Sequence, residues 1–121
     1  MVNFLWVFIG GGLGSICRYG IAEVVKPYDL TFPYATLLAN VLACVVLGAM
    51  VGWSLKLDLS MNIRLLIMTG FCGGFSTFST FTYETFALFE QGKLNLAFAN
   101  IGVSLLVCLG AIYLGIRISN I

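Results

Sequence analysis

Four apolar segments follow one another along this chain of 121 residues, at about 2–25, 33–55, 62–89 and 94–117. Each is close to the roughly 20 residues that an α-helix needs to cross the hydrocarbon core of a bilayer. Only 9 % of the residues are charged, whereas soluble domains average about 25 %. We therefore predict an all-α, multi-pass protein of the cell membrane with four transmembrane helices in one domain, residues 1–121.

The third segment combines glycines with an unusual density of hydroxyl groups. From Ser76 to Thr85, seven of the ten residues are Ser, Thr or Tyr, which a helix that faces only lipid does not need. Gly73 and Gly74 form the weakest helical point, since glycine costs about 1 kcal/mol relative to alanine in a helix. Non-helical backbone at membrane depth is tolerated only where protein buries it or where it lines a wet cavity. We predict a helix that is broken near Gly73-Gly74, with a second half that lines a polar path.

Two of the other helices carry spacings that are typical of close helix-helix contact in membranes. Gly10 and Gly14 lie four residues apart in the first helix, and Gly48 and Gly52 do so in the second. Small residues at this spacing allow two backbones to approach closely. The linker before the third helix contains Ser60, a residue type that favours the N-cap position.

Polar residues also lie at helical spacing in the second and fourth helices. Thr36 and Asn40 are four residues apart, so they share one face of the second helix. Asn100, Ser104 and Cys108 follow at the same interval in the fourth helix and form a weakly polar stripe.

Composition excludes several kinds of chemistry. The chain has no histidine, so it lacks the commonest general base and metal ligand. Its four cysteines lie in four different apolar segments without C-x-x-C spacing, which favours buried hydrophobic residues over a disulfide or a metal site. No pattern of nucleophile and base points to an enzyme. The net charge of +1 and the absence of a basic run exclude a nucleic-acid surface.

The distribution of lysine and arginine does not favour either orientation in the membrane. With four crossings, three basic residues fall on each side: Lys56, Arg64 and Arg117 on one, and Arg18, Lys26 and Lys93 on the other. Because the positive-inside rule then gives no preference, we predict that the chain inserts both ways round and pairs with an inverted copy. Four helices of this length hardly enclose a continuous pore, which also favours an oligomer, most simply a dimer.

Three stretches resemble a known family, the small fluoride channels called Fluc or CrcB. They are Gly-Gly-Leu-Gly-Ser-Ile-Cys-Arg-Tyr at 11–19, Ala-Thr-Leu-Leu-Ala-Asn at 35–40, and Gly-Phe-Cys-Gly-Gly-Phe-Ser-Thr-Phe-Ser-Thr-Phe at 70–81. The stretches occur in the family's order, the resemblance covers essentially the whole chain, and the third stretch is highly specific.

The resemblance implies an antiparallel, dual-topology homodimer with two fluoride pathways and a structural sodium ion at its centre. Asn40 would point its amide into the pathway, and Phe78 and Phe81 would offer their ring edges to fluoride. Gly73 and Ser76 would give main-chain carbonyls to the sodium ion, and Ser76 stands where the family more often has threonine. In the fourth helix, Ser104 maps onto the family's polar track. Asn100 and Cys108 occupy neighbouring track positions with side chains that differ from those expected.

The chemistry of these residues is consistent with an anion path. A path for strongly hydrated fluoride must replace water by hydrogen-bond donors, and five candidates carry no full charge that would trap the anion: Thr36, Asn40, Ser79, Thr80 and Ser104. A phenylalanine ring carries the positive part of its quadrupole at its edge. The carbonyls that end the first half-helix would favour a cation, and the free N–H groups that begin the second would tolerate an anion.

Alternative interpretations remain for each signal. Phenylalanines at this spacing often only pack, membrane hydroxyls often bond to their own backbone, and an asparagine such as Asn40 often joins two helices. Arg18 and Glu84 are candidate charges at the two pore mouths, although Arg18 lies close enough to a helix end to extend into the interface. We predict a passive, fluoride-selective channel that lowers internal fluoride. The alternatives are an assembly subunit of a membrane complex and a proton-coupled small multidrug exporter, for which the first helix offers only Glu23 near its end.

Overall fold

The computed structural model describes residues 1–120, and this part of the chain is helical with short connections and no strand. All four predicted segments form helices that are long and apolar enough to cross a membrane. The prediction of an all-α protein with four membrane-spanning segments is therefore confirmed. The three unbroken helices are Val2–Val25, Tyr34–Lys56 and Leu94–Ser119, which we call the first, second and last helices.

The third segment, Met61–Glu90, is a broken helix. Its first half covers residues 61–75 and consists of three stretches: α-helical Met61–Ile63, π-helical Arg64–Cys72 and α-helical Gly73–Phe75. The backbone is extended at the next two positions, with ψ of 156° at Ser76 and φ of −151° at Thr77. The second half-helix then runs over Phe78–Glu90.

The break lies at Ser76 and Thr77, two residues after the glycine pair near which the sequence predicted it. Gly73 and Gly74 both have helical backbone. The low helix propensity of glycine is offset by packing, since a Cβ atom on Gly74 would fall onto the carbonyl oxygen of Gly11 in the first helix. The π-helical stretch that precedes the pair has no counterpart in the sequence prediction.

The first helix packs along the first half-helix, and glycines form the contact. A Cβ on Gly10 would meet the carbonyl of Leu66, and a Cβ on Gly14 would meet that of Phe71. Because the residue numbers of the contacts increase along both helices, the two helices run in the same direction. The close contact predicted from the spacing of Gly10 and Gly14 is confirmed.

The second and last helices form the other parallel pair. A Cβ on Gly48 would meet the carbonyl of Ile112, and a Cβ on Gly52 would meet Ser119 and the carbonyl of Ile116. This confirms the second predicted glycine contact and also sets the register of the pair. One, two and three helical turns before the contact of Gly48 with Ile112, three pairs of polar or thiol residues lie at matching levels of the two helices. These pairs are Cys44 with Cys108, Asn40 with Ser104, and Thr36 with Asn100.

A small core fixes the level of the break. Ala39, Ala43 and Phe75 are buried together, and Ile21 and Phe71 pack against them. Two alanines on the second helix allow the end of the first half-helix to approach closely. Asn40, next in sequence to Ala39, is thereby held beside the extended residues.

Two side chains form hydrogen bonds with backbone groups at helix ends. The hydroxyl of Ser60 accepts a hydrogen bond from the Ile63 N–H at 3.3 Å, which confirms the predicted N-cap. Nζ of Lys56 donates to the carbonyl of Ser119 at 2.9 Å, at the end of the last helix. A cation at a helix C-terminus is stabilised by the partial negative charge there.

Candidate functional site

The break in the third segment is held open by the side chain of Asn40. Its Oδ1 accepts a hydrogen bond from the Thr77 N–H at 2.8 Å, and its Nδ2 donates to the Thr77 carbonyl at 3.3 Å. One carboxamide thus satisfies both backbone groups of a residue that has left the helix, which membrane burial would otherwise make costly. The Nδ2 group has a second hydrogen, which this pair of bonds does not use.

A group of three hydroxyls begins the second half-helix. Thr77 is its N-cap, since its Oγ1 accepts a hydrogen bond from the Thr80 N–H at 3.1 Å. The Thr77 hydroxyl also lies 3.1 Å from that of Thr80 and 3.2 Å from that of Ser79. Ser79 and Thr80, predicted as pathway donors, therefore lie beside the break. The sequence prediction did not include Thr77, although a threonine that precedes a helix is a recognisable N-cap signal.

A groove of about 230 Å³, which we call the main groove, lies next to this break and is open on one side. It brings together four of the residues predicted for the pathway: Asn40, Phe78, Phe81 and Ser104. The centroids of the two phenylalanine rings are 5.7 Å apart, with their planes tilted by 40°. The Phe78 side chain is 77 % exposed in the single chain, so its ring stands at the open side of the groove.

From Ser104, a chain of hydrogen bonds leads away from the groove into the protein. The Ser104 hydroxyl donates to Oδ1 of Asn100 at 3.2 Å, and Nδ2 of Asn100 donates to the Thr85 hydroxyl at 2.9 Å. Thr85 in turn donates to the carbonyl of Phe81 at 2.8 Å. Asn100 is only 1 % exposed. Its amide thus joins the last helix to the second half-helix, and Thr85 is a further member of the network that the sequence prediction missed.

Thr36 and Glu84 lie together but outside the main groove. The buried Thr36 side chain is beside the carboxyl group of Glu84. Glu84 lines a separate groove of about 190 Å³ near the connection between the first and second helices. Its Oε1 is buried and has no hydrogen-bond partner within residues 1–120. These two predicted residues therefore form a second polar location, towards the end of the broken helix.

Arg18, the other candidate pore-mouth charge, reaches the end of the first half-helix. Its Nε donates a hydrogen bond to the Gly74 carbonyl at 3.1 Å, and the contact is partly buried. In a continuous α-helix this carbonyl would pair with the N–H four residues later, beyond the break. The guanidinium group compensates for that lost donor and places a positive charge at the partially negative helix end.

The carbonyl of Gly73 has also lost its usual donor. A continuous helix would pair it with the Thr77 N–H, but that N–H donates to Asn40. The Ser76 N–H and hydroxyl both donate to the Cys72 carbonyl, at 3.0 and 2.8 Å. Gly73 and Ser76 line a groove of about 160 Å³. Backbone oxygens of this kind suit a hard cation such as sodium, so the residues present fit the predicted ion.

Comparison with known proteins identifies the family. The family model described as "CrcB-like protein, Camphor Resistance (CrcB)" matches residues 5–116. This chain belongs to the CrcB-like family. The curated relatives are named "Fluoride-specific ion channel FluC". One from Pyrococcus horikoshii is 47 % identical over 110 residues, which is 90 % of this chain and 89 % of the relative.

More distant members of the CrcB-like family match over nearly the full length. A relative from Geotalea daltonii is 43 % identical over 120 residues, covering 96 % of this chain and 95 % of the relative. A relative from Dehalococcoides mccartyi is 37 % identical over 123 residues, covering all of this chain and 95 % of the relative. Both carry the same name. The family consists of membrane ion channels and not enzymes, as the sequence analysis predicted.

Proposed function

We propose that this protein is a passive, fluoride-selective anion channel that lets fluoride leave the cell. The observation that supports it best is the groove at the helix break, where an amide, three hydroxyl-bearing residues and two phenylalanine rings meet and no charged side chain is present. Relatives that are similar over nearly the whole chain are named as fluoride-specific ion channels, which agrees with this assignment. Transport is electrodiffusion and involves no covalent step.

The donors around the break replace water around the ion. Fluoride binds water strongly, so it enters a narrow path only where hydrogen-bond donors substitute for that water. The free Nδ2 hydrogen of Asn40 and the hydroxyls of Ser79 and Thr80 provide neutral donors. The Ser104 hydroxyl, which donates to Asn100 in this structure, would join them by turning towards the ion. The ring edges of Phe78 and Phe81 add a weaker positive potential. Thr36 extends the donor set towards Glu84.

We further propose that the functional unit is an antiparallel homodimer with two pathways. The groove is open on one side, and Phe78 is largely exposed at that opening. A second copy of the chain would close it. Reporters fused to the C-terminus are expected to give signals from both sides of the membrane, and a signal from one side only would contradict the dual topology.

Sodium is proposed as a structural ion held by the carbonyls of Gly73 and Ser76, once from each subunit. When bound, it supplies positive charge close to the pathway and compensates for the helix-end carbonyls. Replacing sodium by N-methyl-D-glucamine is expected to lower the melting temperature of the purified dimer. An unchanged melting temperature would argue against the site.

Arg18 and Glu84 are proposed to act at the two ends of the pathway. Glu84 would meet the ion beyond the aromatic pair, and Arg18 would raise the anion concentration near the break. The variant Glu84→Gln is the direct test, since it keeps the shape and removes the charge. Fluoride flux equal to that of the unmodified protein would exclude a role for this carboxylate.

The function itself is tested with liposomes that contain only the purified chain. Fluoride efflux is recorded with a fluoride electrode, with chloride efflux as the comparison. Rapid fluoride loss with little chloride loss is expected, and it would exclude the assembly-subunit alternative. Flux that requires a proton gradient would favour the multidrug exporter, and no flux from folded protein would favour the assembly subunit.

A further inference from the structure

Two cysteine thiols lie side by side in the main groove. Cys44 on the second helix and Cys108 on the last helix both line it, at the same level of the two packed helices. Their pairing follows from the parallel register, in which Gly48 contacts Ile112 one turn further along. The sequence analysis treated these cysteines as separate buried hydrophobic residues, because 63 residues separate them along the chain and no local pattern predicts their contact.

The environment of the pair differs from that of an inert packing cysteine. Both residues are only partly buried and free of disulfide bonds, and the groove that they line also contains Asn40 and Ser104. Thiolates are soft ligands that select soft metal ions. Ions such as Hg²⁺ and Ag⁺ accept two sulfur ligands in a linear arrangement, for which two adjacent thiols are sufficient.

We propose that Cys44 and Cys108 form a two-thiol site for a soft, thiophilic cation, and that its occupation blocks the groove. With Hg²⁺, each thiol releases one proton and two S–Hg bonds form. The metal keeps its oxidation state, and the product carries no net charge. The blocking part of this proposal rests on the proposed channel function, whereas the binding part does not.

Cys72 is the competing partner for Cys44. Cys44 also lines the smaller groove beside the break, together with Cys72, but Cys72 is only 4 % exposed. Cys17 lies exposed on the first helix, where it lines neither of these grooves. The four cysteines thus provide a pair, a competitor and a matched single-thiol control.

Binding is measured first, on the purified chain with HgCl₂, from the ultraviolet absorbance of the S–Hg bond and competition with a monothiol. The unmodified protein and Cys17→Ser are expected to hold one Hg²⁺ per chain in a form that resists the monothiol. Cys44→Ser or Cys108→Ser removes one of two linked ligands and is expected to weaken binding roughly 100-fold. Unchanged binding in Cys108→Ser, or a loss in Cys72→Ser instead, would overturn the assignment.

Flux is measured second, with each variant compared with its own rate in the absence of metal. Hg²⁺ is expected to abolish fluoride efflux in the unmodified protein and in Cys17→Ser, with recovery after addition of a dithiol. Efflux through Cys108→Ser is expected to continue. Tight binding without block would overturn the blocking part of the proposal. If metal-free protein conducts no fluoride, the channel function fails while the binding measurement still decides the site.

Discussion

The clamp between Asn40 and Thr77 allows a quantitative prediction. Asn40→Ala removes two hydrogen bonds, of 2.8 and 3.3 Å, that hold the backbone of Thr77 outside the helix. With a net contribution of about 1 kcal/mol for each bond, the broken conformation loses about 2 kcal/mol. We consider an equilibrium between the broken helix and an alternative backbone conformation that does not use these two bonds. A loss of about 2 kcal/mol lowers the ratio of the broken to the alternative conformation about 30-fold.

The assay for Asn40→Ala combines fluoride efflux from liposomes with thermal unfolding in detergent. We expect slower efflux together with a lower unfolding temperature, because one side chain supports both the pathway and the fold. Asn95→Ala, at an exposed position near the start of the last helix, is the control and should change neither. Unchanged flux and unfolding in Asn40→Ala would refute the clamp. Lost flux with unchanged unfolding would show that Asn40 acts on the ion alone.

Three further substitutions test the groove, the packing and the buried network. Phe78→Ile removes the ring edge from a residue that is 77 % exposed in the single chain, so fluoride efflux should fall strongly with little loss of stability. The control Phe86→Ile should leave efflux unchanged. Efflux through Phe78→Ile at the rate of the unmodified protein would exclude a role for the aromatic ring. Gly74→Ala forces a Cβ onto the Gly11 carbonyl and should destabilise the fold by about 1–3 kcal/mol. Gly12→Ala, which meets no atom within 4 Å, should be neutral or stabilising by up to about 1 kcal/mol. Similar unfolding temperatures of the two variants would contradict the packing argument. Asn100→Ala leaves the Thr85 and Ser104 hydroxyls without their shared partner and should cost about 2–3 kcal/mol, measured by thermal unfolding; a neutral result would show that the network contributes little.

Features that depend on local spacing were predictable from the sequence. Hydropathy placed four membrane segments, because a helix must hide its backbone polar groups and bury an apolar surface of fixed length. The glycine spacings predicted two close helix contacts, since the absence of a Cβ atom is what allows the two backbones to touch. Phe78 and Phe81 were expected on one face, and their rings lie 5.7 Å apart.

The position of the break was not predictable from propensity. Glycine is a weak helix former, yet Gly74 stays helical because the first helix packs directly against it. The chain leaves the helix at Thr77, where a side chain 37 residues away in sequence supplies both missing hydrogen bonds. Only the tertiary structure brings that partner into place.

By itself, the sequence determined the membrane class, the number of helices, the contact glycines and the polar character of the third segment. The tertiary structure decided which of these residues act together. The parallel register of the second and last helices puts Asn40 level with Ser104, and Cys44 level with Cys108. Residues in different helices meet through backbone packing, and no local pattern in the chain records the offset at which two helices dock.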